Sequence, residues 1–244
     1  MLFRSSFPGS ESGSLAARLA YVFDTEVLAH ATHAIDLHTA AAHRTNLPQV
    51  RANVDDPETL RLARAFAAPV IIDAKLRDGS LRATAVERGL PVLLYESGQA
   101  MRFDEDCIRV GVRGIRDVMR ALGMLPAPKR RKAPPEPVAI QQTSWVRAPT
   151  SGILRATVGL GERVARGQTL GVVGDPFGDG ESQLLAPFGG VVIGHNQCPL
   201  VHEGDAAFNV ARIADSADAA ARIDALTSDL DEADLRKPDE PPIV

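Results

Sequence analysis

Pro91-Val92-Leu93-Leu94-Tyr95 is a continuous apolar run of the kind that is buried on both faces of a parallel β-sheet. Val70-Ile71-Ile72 is a second such run, and Ala34-Ile35-Asp36-Leu37 predicts a further short strand. Between the two apolar runs, Leu81 to Arg88 predicts a short helix. Strand-like and helix-like segments therefore alternate, which predicts an α/β layer structure with a largely parallel sheet.

Three longer helices are predicted around these strands. Residues 14–28 carry apolar side chains at helical spacing after a Gly/Ser-rich entry. Asp56 and Pro57 have the character of an N-cap and a first helical turn, and the helix they open runs through Phe66. Residues 104–123 form the last predicted helix, with Gly123 close to its end.

A proline-rich basic segment at residues 126–137 divides the chain. It combines five prolines with the four consecutive cations from Lys129 to Lys132, a composition typical of an extended, solvated linker. We therefore predict an α/β domain at residues 1–125, a linker at 126–137, a β-domain at 138–213, and a helix with an acidic tail at 214–244.

The predicted β-domain contains an internal repeat, because residues 148–154 are echoed by residues 186–192. The duplicated pattern resembles the barrel-sandwich hybrid of biotinyl and lipoyl carrier domains, in which each half contributes one layer. In those carriers the modified lysine lies at the hairpin between the halves. Residues 174–181 occupy that hairpin and contain no lysine, so a swinging-arm carrier is disfavoured.

Composition excludes several classes of function. A formal net charge of -4 and a pI near 5.9 give no general attraction to nucleic acid. Cys107 and Cys198 are far apart and form no Cys-x-x-Cys pair, which argues against a disulfide framework and a cysteine zinc site. The sequence contains no run of about 18 apolar residues, so no membrane-spanning helix is predicted. We expect a soluble cytoplasmic protein.

Asp36 and His38 lie two residues apart at the end of a predicted strand, so their side chains point to the same face. Imidazole is a standard zinc ligand, and catalytic zinc needs three protein ligands with one open position. Taken alone, a single histidine beside a strand is more often structural. A self-contained three-histidine site with His30 and His33 is disfavoured, because a helix end running into a strand would aim the three rings in different directions.

The chain resembles the succinylglutamate desuccinylase/aspartoacylase family, a branch of the zinc carboxypeptidase superfamily. The resemblance spans nearly the whole chain and rests on four segments: Phe7-Pro8-Gly9, Ile35-Asp36-Leu37-His38-Thr39, residues 43–51 and Tyr95-Glu96-Ser97-Gly98. It implies a partial zinc-carboxypeptidase-like mixed sheet with flanking helices, followed by a small all-β domain. It also implies a hydrolase that deacylates small N-acyl amino acids or related amides and esters.

The resemblance assigns roles to individual residues. It implies that His38 is a zinc ligand and that Glu96 is the general base. The alternative for Glu96 is an ordinary surface carboxylate after a strand. Asp36 could orient the metal-bound histidine. Arg44, Asn46 and Arg51 are candidate substrate-binding residues in a polar loop beside His43, because a guanidinium can bind both oxygens of a carboxylate.

The sequence departs from the family pattern at its start. The family takes two further zinc ligands from a His-x-x-Glu motif upstream of Phe-Pro-Gly, and an Asn-Arg pair precedes that segment, where Arg4 is one position out of register. We expect those ligands either to be missing or to come from a complementing subunit or a homo-oligomer. The alternative is a catalytically inactive, truncated family member that acts as a binding or association module.

Overall fold

A computed structural model describes residues 5–127, 137–140, 142–178 and 180–213, together with Ala221 and Ala225. Arg4, most of the predicted linker and nearly all of the predicted helix and acidic tail lie outside the described residues. Four α-helices have defined bounds: α1 (Leu15–Glu26), α2 (Pro57–Phe66), α3 (Leu81–Glu87) and α4 (Glu105–Ala121). A single 3-10 turn follows α1 at Leu28–His30.

Each of the four helices begins at a serine or aspartate that accepts a hydrogen bond from a backbone N–H in the first turn. The N-caps are Ser14, Asp56, Ser80 and Asp104. Such a cap satisfies one of the helix's four otherwise unpaired donors. The helix starts predicted from sequence are therefore confirmed to within one residue for all four helices.

Four strands make the first part of a mixed sheet. They are β1 (Ala34–Ala40), β2 (Arg44–Ala52), β3 (Val70–Asp73) and β4 (Val92–Gln99). β4 lies between β1 and β2, parallel to β1 and antiparallel to β2, and β3 pairs with β2 in parallel. Helices α2 and α4 pack over one face through Phe66, Val110 and Val118. The predicted α/β fold with a mixed sheet and flanking helices is confirmed.

The expectation of a polar loop at residues 43–51 is wrong, because residues 44–52 form strand β2. The polar side chains Thr45, Asn46 and Gln49 make this segment look like a solvent-exposed loop in the sequence, yet all three are buried. β2 is a central strand with β4 on one side and β3 and a later strand on the other, so even its polar positions lie inside the molecule.

Nine further strands follow. They are β5 (Val138–Ile140), β6 (Thr143–Arg147), β7 (Gly152–Ala156), β8 (Arg163–Val164), β9 (Thr169–Gly174), β10 (Glu181–Leu185), β11 (Gly190–Asn196), β12 (Leu200–Val201) and β13 (Ala206–Arg212). Eight of them, β6 to β13, form two layers around one apolar core. One layer has the order β10-β9-β7-β12, and the other has the order β6-β13-β11-β8.

The two layers correct the expectation that each half of the repeat forms a whole layer. Each layer takes its two central strands from one half and its two outer strands from the other, because the short strands β8 and β12 cross to the opposite layer. β6 and β10 add to the remaining edges. The two halves therefore interlock and share one core.

The second layer is continuous with the α/β sheet. β11 pairs antiparallel with β2, and β5 pairs parallel with β3, so that one nine-stranded sheet runs through both regions. An apolar cluster lies at this junction and includes Leu47, Val70, Ile72, Val191 and Ile193. The division into separate domains stays a prediction, since strand pairing and core packing both cross the predicted boundary.

Candidate functional site

Strand register brings the main candidate residues to one face of the sheet. His38 on β1 lies opposite Glu96 on β4, and Glu96 lies opposite Gln49 on β2. Asp36 lies two residues before His38 on β1, and Arg51 lies two residues after Gln49 on β2. Both are opposite Leu94 on β4. Because paired residues and residues two apart share a face, all of these side chains project to the same side.

His38 is held by Asp36. The two side chains are 23% exposed each, and the His38 Nε2 lies 3.0 Å from the Asp36 Oδ2. When Asp36 accepts the Nε2 proton, the other ring nitrogen carries the lone pair that a metal ion requires. A carboxylate in this position fixes the orientation of the imidazole, as carboxylates behind metal-binding histidines do.

Glu96 faces Arg51. The Arg51 Nε lies 2.7 Å from the Glu96 Oε2, and both side chains are mostly buried. The Nε–H does not point at the carboxylate, since this buried nitrogen has no hydrogen-bond partner among the described residues. The contact is therefore an ion pair with poor hydrogen-bond alignment. Glu96 lies inside β4, which continues to Gln99, and not after the strand as the alternative reading assumed.

Arg82, at the start of α3, is a site residue that sequence reasoning missed. It is 8% exposed, its Nη2 donates to a backbone carbonyl in the loop before α3, and its Nη1 is buried with no partner among the described residues. Burial is the largest cause that lowers the pKa of this guanidinium, and the charges of Arg51 and Arg77 lower it further. The carboxylates of Asp36 and Glu96 oppose that shift. The guanidinium remains protonated at neutral pH.

Gln49 is the second residue that sequence reasoning did not single out. It is fully buried, and neither its Nε2 nor its Oε1 has a hydrogen-bond partner among the described residues. The signal was present in the spacing, because Gln49 lies two residues before Arg51 and so shares its face. That spacing is informative only once residues 44–52 are known to be a strand.

The remaining candidates lie elsewhere. The Arg44 guanidinium stacks on the Trp145 ring, 5.1 Å from its centroid, at the start of β2. Asn46 is buried where β2 pairs with Gly98 on one side and Gly194 on the other. Neither is seen in contact with His38 or Glu96. Their assignment to substrate binding stays a prediction.

The opposite face of β1 and β4 carries an apolar cleft of about 410 Å³ against α4. Leu37, Tyr95, Ile108 and Val112 line it, and Leu37 is 57% exposed. Burial raises the pKa of the Cys107 thiol in the same cleft to about 12, which makes it a poor nucleophile. β1 stands at one end of the sheet within the described residues, so its outer backbone groups are available for a further strand.

The described residues do not by themselves make a zinc site. Within residues 5–213, where they are described, no three or more His, Cys, Asp or Glu side chains come together in a group that could hold a metal ion. His33 instead lies 3.7 Å from Glu58, away from the row, so His30, His33 and His38 do not form a three-histidine centre. His38 offers one imidazole, and further ligands are required.

Comparisons with known proteins bear on this arrangement. Residues 4–122 match the model of the succinylglutamate desuccinylase/aspartoacylase catalytic domain. The chain is also 26% identical to a succinylglutamate desuccinylase/aspartoacylase from Rhodobacter sphaeroides, with a TM-score of 0.75 over 86% of this chain and 67% of that one. The chain belongs to the succinylglutamate desuccinylase/aspartoacylase family.

Two other known proteins are similar to this chain over the same extent. The chain is 27% identical over 224 residues to N-alpha-acetyl-L-2,4-diaminobutyric acid deacetylase from Halomonas elongata, covering 86% of this chain and 65% of that enzyme. The fold is shared with the ectoine utilization protein EutE (DoeB) from Ruegeria pomeroyi, with a TM-score of 0.78 and 22% identity over 86% of this chain and 70% of that one. The chain thus spans about two thirds of the length of these relatives.

Membership of the desuccinylase/aspartoacylase family makes the row of His38, Glu96 and Gln49 the candidate active site. The family is one of deacylases and amidohydrolases. In the part of the chain that the structure describes, no helix is long and apolar enough to cross a membrane.

Proposed function

We propose that the chain acts in the zinc-dependent deacylation of a small N-acyl amino acid or a related amide or ester. The observation that supports the proposal best is the alignment of His38 and Glu96 on adjacent strands and one face. A metal ligand and a general base must both reach the same water molecule. Neighbouring strands lie about 4.8 Å apart, so the two side chains can reach one water molecule between them.

Glu96 is proposed as the general base. Its carboxylate would take a proton from the attacking water and return that proton to the leaving amine. Zinc, when bound, would lower the pKa of its water to about 7 and polarise the scissile carbonyl. Asp36 would keep the His38 ring in the orientation for metal binding.

The cations around the site support a substrate that carries a carboxylate. Arg51 and Arg82 lie on or beside the row, and the buried Nη1 of Arg82 has no hydrogen-bond partner in the part of the chain that the structure describes. A buried guanidinium without a full set of acceptors is stabilised by an incoming anion. A small acyl amino acid provides such a group, and we propose Arg51 and Arg82 as its binding residues. Arg44 and Asn46 lie at the other end of β2, and their role in substrate binding stays a prediction.

The remaining zinc ligands must come from outside the described residues. We propose that a further polypeptide segment pairs with the outer edge of β1 and covers the apolar cleft behind it. The segment would come from a complementing subunit or from another copy in a homo-oligomer. An added strand would place its side chains next to those of β1, on the same face as His38. Strand addition would also cover Leu37.

A second candidate is a non-catalytic role as a binding or association module. The observation that favours it is the lack of a three-ligand metal group among the described residues. This reading predicts no zinc and no hydrolysis.

Zinc content and N-acyl amino acid hydrolysis, measured on the purified protein, test the proposal. We expect about one zinc per active site, lost in His38→Ala and retained in His30→Ala, which removes a histidine outside the row. Glu96→Gln should keep its zinc and lose hydrolysis by about 100-fold or more, since it removes the base alone. A wild-type protein that neither holds nor takes up zinc, alone or together with a complementing chain, would overturn the proposal in favour of the association module.

A further inference from the structure

The buried side-chain amide of Gln49 makes no hydrogen bond among the described residues that would stabilise the fold. It is fully buried, and both polar atoms of its side chain lack hydrogen-bond partners among the described residues. A buried polar group without partners destabilises the folded state, and an apolar side chain of the same shape would avoid that cost. Proteins keep such groups where function requires them.

The neighbours of Gln49 identify what it can reach. It lies directly opposite Glu96 in the antiparallel pair of β2 and β4. Side chains at such positions have Cβ atoms about 4.5 to 5.5 Å apart, so rotation of the Gln49 side chain can bring its Nε2 to the carboxylate. The other cross-strand neighbour of Glu96 is His38, which is already held by Asp36 at 3.0 Å.

The contacts of Arg51 indicate at which stage of the reaction the Gln49 amide is needed. In the structure Arg51 contacts the Glu96 carboxylate at 2.7 Å, and under the proposed function Arg51 also binds the carboxylate of the substrate. Because the contact with Glu96 is poorly aligned for a hydrogen bond, a substrate carboxylate can compete with Glu96 for the donors of the guanidinium. When Arg51 turns to the substrate, the Glu96 carboxylate needs another donor.

We propose that Gln49 is a positioning residue that takes over the Glu96 carboxylate from Arg51 when substrate binds. Its Nε2–H donates to one carboxylate oxygen and leaves the other aimed at the attacking water. This inference rests on the proposed deacylase function. It adds that the resting ion pair of Arg51 and Glu96 is exchanged during the reaction for a hydrogen bond from the uncharged Gln49 amide to the Glu96 carboxylate.

Gln49→Met tests the proposal, because methionine keeps the length and shape of the side chain and removes the amide. The zinc-loaded protein, with any complementing chain present, is assayed for hydrolysis of an N-acyl amino acid. We expect kcat to fall about tenfold or more, with KM and zinc content unchanged and a melting temperature equal to or above that of the wild type.

Asn209→Leu is the matched control. Asn209 is buried on β13, and its Oδ1 has no hydrogen-bond partner within the described ranges, but it lies two strands away from Gln49. Its replacement should change the melting temperature and leave kcat unchanged. A fall in kcat limited to Gln49→Met supports the proposal.

Three results would overturn the inference. A Gln49→Met protein with kcat within twofold of the wild type shows that the amide has no part in catalysis. A lower melting temperature or lost zinc shows that the amide has structural partners in solution. An inactive, zinc-free wild-type protein overturns the proposed function, and the role of Gln49 falls with it. The measurement on the wild type alone distinguishes this failure from a failure of the Gln49 inference.

Discussion

Gly9 sits at a position that no other residue can occupy without strain. It follows the buried Phe7, whose ring packs edge-to-face against Phe23 with centroids 6.0 Å apart. Gly9 has φ +91°, and a Cβ there would lie 2.2 Å from the backbone nitrogen of Tyr21 in α1. The Phe-Pro-Gly segment thereby docks its backbone directly onto the first helix.

Gly9→Ala should destabilise the fold by at least about 3 kcal/mol, because left-handed strain and backbone overlap add together. The matched control is Gly89→Ala, since Gly89 has φ +76° and nothing within 4 Å of the added carbon. The control should cost only the left-handed strain, about 1 to 2 kcal/mol. Urea denaturation compares the two variants, and an equal loss of stability would show that α1 moves away freely.

At the residue scale, sequence reasoning reached four charged members of the candidate site and missed two residues, the buried Arg82 and the neutral Gln49. His38, Asp36, Glu96 and Arg51 are recognisable by chemistry, and the structure brings them to one face. Gln49 carries no charge and stands in a stretch that composition reads as loop. Its importance lies in burial and register, which a single sequence does not display.

At the scale of elements, α2 and α4 meet at a glycine. A Cβ on Gly114 would lie 2.4 Å from the ring of Phe66, which is fully buried and stacks on Tyr95 with centroids 5.0 Å apart. Gly111 lies one turn earlier on α4, where a Cβ would meet the Tyr95 ring at 3.1 Å. The two glycines differ in how much the neighbouring ring must move.

Gly114→Ala should destabilise the protein by about 1 to 3 kcal/mol, because Phe66 has no free space into which it can shift. Gly111→Ala should be close to neutral, since a small displacement of Tyr95 is offset by about 1 kcal/mol of helix propensity. Thermal unfolding of both variants checks the order. If Gly114→Ala were as stable as Gly111→Ala, the contact between the two helices would be looser than the structure indicates.

Helices could be predicted closely from the sequence, and strand β2 could not. The capping residues Asp56 and Asp104 and the 3.6-residue apolar spacing are local signals, so they survive in one sequence. β2 alternates polar and apolar side chains irregularly and is interrupted by Pro48. It is a strand because β4 and β3 pair on either side of it, which is a tertiary effect.

At the scale of the whole molecule, the internal repeat is visible in equivalent glycines. A Cβ on Gly152 would lie 2.4 Å from the carbonyl oxygen of Gly174, and a Cβ on Gly190 would lie 2.0 Å from that of Ala211. The first pair belongs to β7 and β9 and the second to β11 and β13, which occupy corresponding places in the two layers. The repeat was readable from sequence because both copies need a glycine at the same close approach.

The continuity of the sheet was not readable from sequence, because the predicted linker suggests two independent units. β11 pairs with β2 through Gly194 to Asn196, and Ile193 packs with Leu47 and Val70 across the predicted boundary. Units that share a sheet and an apolar cluster lose stability together when either one is weakened. We therefore expect the two regions to unfold as one.

Two probes separate the regions and allow this expectation to be tested. The four helices with defined bounds lie before residue 122 and contribute strongly to circular dichroism at 222 nm, whereas the single tryptophan of the chain, Trp145, reports on the β-region by fluorescence. Leu62→Ala removes a buried side chain from the helical core, and Leu170→Ala removes one from the β-core. Each should cost about 3 kcal/mol.

With one cooperative unit, each leucine variant shifts the urea midpoints of both signals by the same amount, although its cavity lies in one core only. Independent domains would give the opposite pattern, in which Leu62→Ala moves only the helical signal and Leu170→Ala moves only the Trp145 signal. The outcome also bears on the site, because β2 carries Gln49 and Arg51 and depends on β11 for one of its edges. A coupled transition means that the β-region helps to hold β2, and with it the arginine and amide that face Glu96.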